Sequence, residues 1–160
     1  MLPTFNTNIK TIYAKIYPEV DFRMYFDGCS KGNPGLGGAG AVIYYNNDEI
    51  WNGSSFVGTN ITNNYAEYSG LIMGLQKAID MNIKKISVFG DSELIINHMT
   101  GKYKCNSLNL IELYEKSKKL EEFFDTIQYT HIVRSLNKRA DTLSNIAVTQ
   151  YVNEKNKENI

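Results

Sequence analysis

An α/β domain built on a five-stranded mixed sheet, an antiparallel meander plus two parallel strands flanked by helices, is the fold class that this sequence predicts. Three observations carry that expectation. Apolar residues alternate in the segment from Asp21 to Phe26, the period of a strand with one buried face. From Leu71 the period changes to that of a helix. Beyond it, short apolar strands alternate with helical stretches, the pattern of parallel strands added through right-handed crossovers.

In chain order, Phe22, Met24 and Phe26 give a first strand that should end where turn residues begin, at Asp27-Gly28. Gly38 to Tyr45 reads as a second strand and Glu49 to Val57 as a third, with Asn46-Asn47-Asp48 as the hairpin turn between them. Connections this short make the three strands antiparallel. Leu71, Ile72, Leu75, Ala78 and Ile79 define a helix from about Asn64 to Met81. Lys85 to Phe89 is a short apolar strand closed by Gly90-Asp91, and Glu93 to Met99 a short helix. A longer amphipathic helix from about Leu108 to Phe124 presents Leu110, Leu113, Leu120 and Phe124. Thr126 to Val133 is the last strand and Lys138 to about Tyr151 the last helix.

The 160 residues suit one domain. Residues 1–20 read as an N-terminal extension, 21–150 as the folded domain (the catalytic one, if the resemblance given below holds), and 151–160 as a frayed, charged tail. A formal net charge of zero argues neither for nor against a nucleic-acid partner: a protein that grips phosphates by bulk charge alone is usually basic, but carboxylates that hold metal can offset a basic rim. Cys29 and Cys105 lie in no redox or metal-ligand spacing and read as free thiols of an intracellular, cytoplasmic protein. The start of the chain has no secretory pattern, and no apolar run reaches the roughly 20 residues that a membrane span needs.

Four acids fall at element ends. Asp27 closes the first strand, Glu67 lies in the first turn of the first long helix, Asp91 closes the fourth strand, and Asp141 opens the last helix. Each has an ordinary explanation. Asp27-Gly28 reads as a turn, Asn64-Tyr65-Ala66-Glu67 as a capping box, Asp91 as a helix cap, and Asp141 as a reply to the helix dipole. Their combination points to metal chemistry. Acids placed together repel one another unless a cation neutralises them, and open sheets gather their sites beyond the carboxyl ends of strands.

The segment Asp27-Gly28-Cys29-Ser30-Lys31-Gly32-Asn33-Pro34-Gly35, with the glycines that follow, closely resembles the opening of type 1 ribonuclease H. Thr62 to Glu67 resembles that family's second motif, Phe89 to Ser92 its third, and Asn137 to Asp141 its fourth. The resemblance covers about Asp21 to Val148 and implies the ribonuclease H-like fold. It implies an endonuclease cutting the RNA strand of RNA–DNA hybrids, with two Mg²⁺ ions (or Mn²⁺) on Asp27, Glu67, Asp91 and Asp141. Asp27 would bridge the ions, and Glu67 would also touch the ribose 2′-OH. The products would carry 5′-phosphate and 3′-hydroxyl ends. Residues matching Ser30, Asn33 and Asn63 would follow the minor groove, and those matching Thr62 and Asn64 would hold a phosphate of the DNA strand.

The departures from the family are informative. A basic, aromatic insertion after the third motif is replaced by the short stretch Gly101 to Asn106, as in the compact archaeal and two-domain subgroup. Lys102, Lys104, Arg134, Lys138 and Arg139 are left as candidate phosphate contacts, which predicts weak, salt-sensitive binding. His131 stands ten residues before Asp141, where a mobile catalytic histidine would align, but it falls inside a strand and reads as half-buried; His98 lies on a short helix. Two further readings keep the fold: a nuclease that also cuts double-stranded RNA, and a binding domain without catalysis. A fragment of a reverse transcriptase or transposable element is a fourth. The intact acids favour an enzyme, the short flanks favour a freestanding one, and neither a membrane nor an obligate protein partner is implied.

Overall fold

The computed structural model describes residues 21–159, so the extension expected over residues 1–20 lies outside the described residues. The sheet runs β1 (Phe22–Lys31), β2 (Gly35–Tyr45), β3 (Asp48–Ile61), β4 (Lys85–Gly90) and β5 (Thr126–His131). Its spatial order is β3-β2-β1-β4-β5. The first three strands pair antiparallel, and β4 and β5 are added parallel beside β1. This is the mixed sheet that the hydrophobic pattern predicts.

Helices α1 (Asn63–Asp80), α2 (Glu93–Met99), α3 (Ile111–Glu121) and α4 (Lys138–Glu158) complete the described residues, with a 3₁₀ turn at Arg134–Leu136. Along β1, Phe22, Met24 and Phe26 are buried while Arg23 and Tyr25 are partly exposed, as a period of two requires. The buried face meets Tyr68, Leu71 and Leu75 of α1 in the main core. Leu71 and Leu75 are fully buried, each contributing about 1.5–3 kcal/mol of transfer free energy. Helix α4 covers the other face of β2, where a Cβ on Gly38 or Gly40 would overlap the Ser144 or Ala140 carbonyl oxygen.

Several boundaries differ from the sequence expectation. β1 does not end at Asp27-Gly28 but continues to Lys31, because β2 still pairs with it there after β4 has stopped. β2 begins at Gly35, so Gly35 and Gly37 are strand residues, and Gly38 and Gly40 further along lie under α4. β3 runs on to Ile61. The amphipathic helix α3 is shorter than Leu108 to Phe124, and Leu108 is exposed. α4 continues through the expected frayed tail to Glu158, its last turns exposed. No helix among the described residues is long and apolar enough to cross a membrane.

Candidate active site

The parallel ladder between β1 and β4 ends at the pair Phe26 and Gly90. Asp27 and Asp91 are the next residues on the two strands, so the topology alone makes them neighbours. Glu67 arrives from α1, which sits unusually close to β1. A Cβ on Gly28 would overlap the Ala66 backbone, and one on Gly70 would overlap the Asp27 carbonyl oxygen. Two glycines therefore let the helix carry Glu67 onto Asp27. One carboxylate oxygen each from Asp27, Glu67 and Asp91 lie within 4.8 Å of one another.

The ordinary explanations of these acids fail in the structure. The cap of α1 is Thr62, whose Oγ1 accepts from Tyr65 N–H at 3.2 Å, not Asn64. That moves the helix start two residues earlier and leaves Glu67 beyond capping-box reach. Ser92, not Asp91, caps α2 by accepting from Ile95 N–H at 3.3 Å. Asp27 is mid-strand and not in a turn. The acids are released from local duties and turned to a common point.

Burial shapes their electrostatics. Asp27 is 4% exposed and its carboxyl is pushed up to about 7, chiefly by burial, with Asp91 and Asp141 adding to the rise. The hydrogen bond with Glu67 and the Gly28 N–H donated to Asp27 Oδ1 at 2.9 Å work the other way. Burial and the Asp27 charge hold Glu67 well above the ordinary carboxylate range. The close approach of the Asp27 carboxyl raises Glu67 further. Glu67 Oε2 is buried with no hydrogen-bond partner among the described residues. Asp91 is raised by burial, against the neighbouring Asn137 side chain and the nearby Arg134 charge.

Asp141 stands outside the tight trio but close enough to raise all three by charge. Asn145 Nδ2 donates to its Oδ1 at 3.1 Å, and Arg134 Nη2 lies 3.9 Å from the same oxygen.

The expected substrate residues gather on the adjoining rim. Ser30 N–H donates to Asn63 Oδ1 at 2.9 Å, and Asn63 N–H donates to Asn33 Oδ1 at 3.0 Å. Ser30 Oγ donates to the Ile61 carbonyl at 2.6 Å and accepts from Asn33 N–H at 3.0 Å. This network ties the β1–β2 turn to the start of α1 and uses both amide oxygens, which leaves the exposed amides as donors. Asn64 is exposed on the first turn of α1 beside the Thr62 cap.

Among the basic candidates, Lys102, Lys104, Arg134 and Lys138 are exposed, whereas Arg139 is committed to a two-pronged bond with Glu49 at 2.8 and 3.2 Å. His131 is exposed, not half-buried, because its partner on β4 is Gly90, which offers no side chain to cover it. Its Nε2 lies 3.2 Å from the Asp91 carbonyl oxygen. His98 is buried with Nδ1 2.7 Å from the Tyr68 hydroxyl, a core role away from the acids. Asn145 and the contacts of Asn137 escaped the sequence reading. Asn145 follows Asp141 by one helical turn, the only signal that could have found it.

Residues 25–147 match the family described as reverse transcriptase-like. The chain is 36% identical over 140 residues to Ribonuclease HI of Halobacterium salinarum, covering 86% of this chain and 70% of that protein. It is 37% identical over 123 residues to the bifunctional protein Rv2228c of Mycobacterium tuberculosis, covering 76% of this chain but spanning only 34% of that longer protein. The RNase H1 structure from Halobacterium salinarum superposes with a TM-score of 0.77 at 34% identity, over 81% of this chain and 98% of that one. The N-terminal RNase H domain of Rv2228c gives 0.80 at 33% identity, over 85% and 99%. LC11-RNase H1 in complex with an RNA/DNA hybrid gives 0.77 at 31% identity, over 82% and 99%. Fold, clustered acids and these likenesses agree: the chain belongs to the ribonuclease H family of metal-dependent endonucleases.

Proposed function

We propose that this chain cuts the RNA strand of RNA–DNA hybrids internally, with divalent cations held by Asp27, Glu67, Asp91 and Asp141. The observation that carries the reading is the convergence of three buried or half-buried carboxylates within 4.8 Å. The donor set fits the metal. All donors are hard oxygens, the acids repel without a cation, and the buried Glu67 Oε2 lacks a partner among the described residues. When bound, two such ions supply a nucleophile from water and neutralise charge on the attacking and leaving oxygens. Mg²⁺ is the proposed ion, and Mn²⁺ accepts the same ligands.

The protein's own groups orient and select. Gly28 N–H and Asn145 Nδ2 fix one oxygen each of Asp27 and Asp141. Asn33 and Asn63, with their oxygens spent on each other's segments, offer amide donors to a minor groove, Ser30 bracing the turn beneath them. Thr62 and Asn64 at the start of α1 suit a phosphate of the DNA strand. Glu67 would read a ribose 2′-OH of the cut strand, as the family resemblance implies, the group that separates RNA from DNA. Products with 5′-phosphate and 3′-hydroxyl ends follow from the family resemblance. An intracellular setting accompanies this reading, supported by two free cysteines.

The test is an end-labelled RNA–DNA hybrid incubated with Mg²⁺, Mn²⁺ or chelator, beside RNA duplex, single-stranded RNA and DNA duplex. Internal cuts confined to the hybrid's RNA strand, lost with chelator and in Asp27→Asn, are expected. Equal cutting of the RNA duplex would widen the substrate. Binding of hybrid without cleavage under either ion would overturn the enzymatic reading and leave a binding domain.

A further inference from the structure

Asn137 is only 1% exposed, although residues 133–136 before it are all exposed. Its Nδ2 donates to the Phe26 carbonyl at 2.9 Å, a buried bond to the residue immediately before Asp27. The same side chain stands close enough to Asp91 to hold its carboxyl down against the effect of burial. Its own carbonyl accepts from Asp141 N–H at 3.1 Å where α4 begins. One residue thus touches the segments carrying three of the four acids.

Both side-chain neighbours are acceptors, which fixes the orientation of the amide. The consequence is an unsatisfied oxygen, since Asn137 Oδ1 is buried without a partner among the described residues. Helix capping does not account for this arrangement, because the Asn137 side chain makes no cap hydrogen bond. Anchoring acids to a common backbone point does account for it, as outer groups around metal sites generally do.

We propose that Asn137 is a positioning residue whose side chain sets the spacing of Asp27 and Asp91 for divalent metal, acting through the acids without touching substrate. The inference rests on the metal-dependent reading of the site. It separates Asn137 from the other buried amide, Asn97 on α2, whose Nδ2 also lacks a partner but which makes none of these contacts.

The experiment compares wild type, Asn137→Ala and Asn97→Ala. Mn²⁺ binding is measured by calorimetry without nucleic acid, melting temperature in chelator, and kcat and KM on the hybrid. Asn137→Ala is expected to weaken Mn²⁺ binding by about ten-fold or more and to lower kcat while leaving KM within about two-fold. Asn97→Ala is expected to lose stability but keep wild-type Mn²⁺ affinity. Should Asn137→Ala fail to fold, Asn137→Ser, which retains a single donor, gives the same comparison. A folded Asn137 variant with wild-type Mn²⁺ affinity and kcat would overturn the assignment, as would an equal loss of affinity in Asn97→Ala. Wild type that binds Mn²⁺ but cleaves nothing would overturn the enzymatic reading instead, and the Mn²⁺ comparison would still decide the role of Asn137.

Discussion

At Asp27 stability and activity pull apart. Its carboxyl is raised from 3.8 to about 7 by burial, with neighbouring acids adding to the rise. A raised acid favours the folded state most when protonated. Its contribution is complete below about pH 4 and is lost as pH rises through about 7. Metal-free protein should therefore melt lower at pH 8 than at pH 5, and Asp27→Asn in chelator should recover about 1–3 kcal/mol at pH 8. The same variant should cut at least about a thousand-fold more slowly with metal present, since the acids act as a unit. Melting curves in chelator and single-turnover assays check the two halves. An unchanged melting temperature across that pH range would contradict the electrostatic picture of the cluster.

Among the elements, the approach of α1 to β1 is what converts two acids on strands into a three-acid site. Gly28→Ala would set a methyl into the Ala66 backbone and force the helix away. The expected cost is about 3 kcal/mol, read by urea denaturation, with loss of activity in the fraction that still folds. Thr62→Ala removes the cap bond to Tyr65 N–H and a long, exposed bond from Asn109 Nδ2, and should cost about 1 kcal/mol. The contrast separates helix stability from helix placement. The same packing explains what the sequence could and could not disclose. Period-two and period-3.6 patterns, with short apolar runs between turn residues, located the strands and helices of the described residues, because half-buried faces write those periods directly. Gly35 and Gly37 looked like loop, yet they belong to β2, and Gly38 and Gly40 are glycine because α4 lies on the strand. Glycine marks a loop and a close backbone contact alike, so composition could not choose. The cap positions moved for a related reason. Thr62 and Asn64 are both competent caps, and Ser92 competes with Asp91; tertiary contacts decide which serve.

Over the whole molecule, the acids were legible from their motifs and their places at element ends, and the predicted topology allowed what the sheet shows, the ends of β1 and β4 side by side. The contacts of Asn137 and Asn145 were not, since they depend on how α4 meets the sheet across more than a hundred positions or on one side-chain rotamer. The exposed last turns of α4 carry little of the fold. Deleting residues 154–160 should shift the melting temperature by no more than about 2 °C and leave hybrid cleavage intact, which differential scanning fluorimetry and the same assay would verify.

The parallel ladder that stops at Phe26 and Gly90 has one more implication. The placement of Asp27 beside Asp91 begins in main-chain hydrogen bonds, so the register of two central strands underlies everything that the helices and side chains around the site then refine. A lineage carrying this sheet can rebuild the loops along its rim, and with them its choice of duplex, while the hydrolytic centre stays as it was. Substrate preference and hydrolytic competence thereby become separately heritable traits of one small domain.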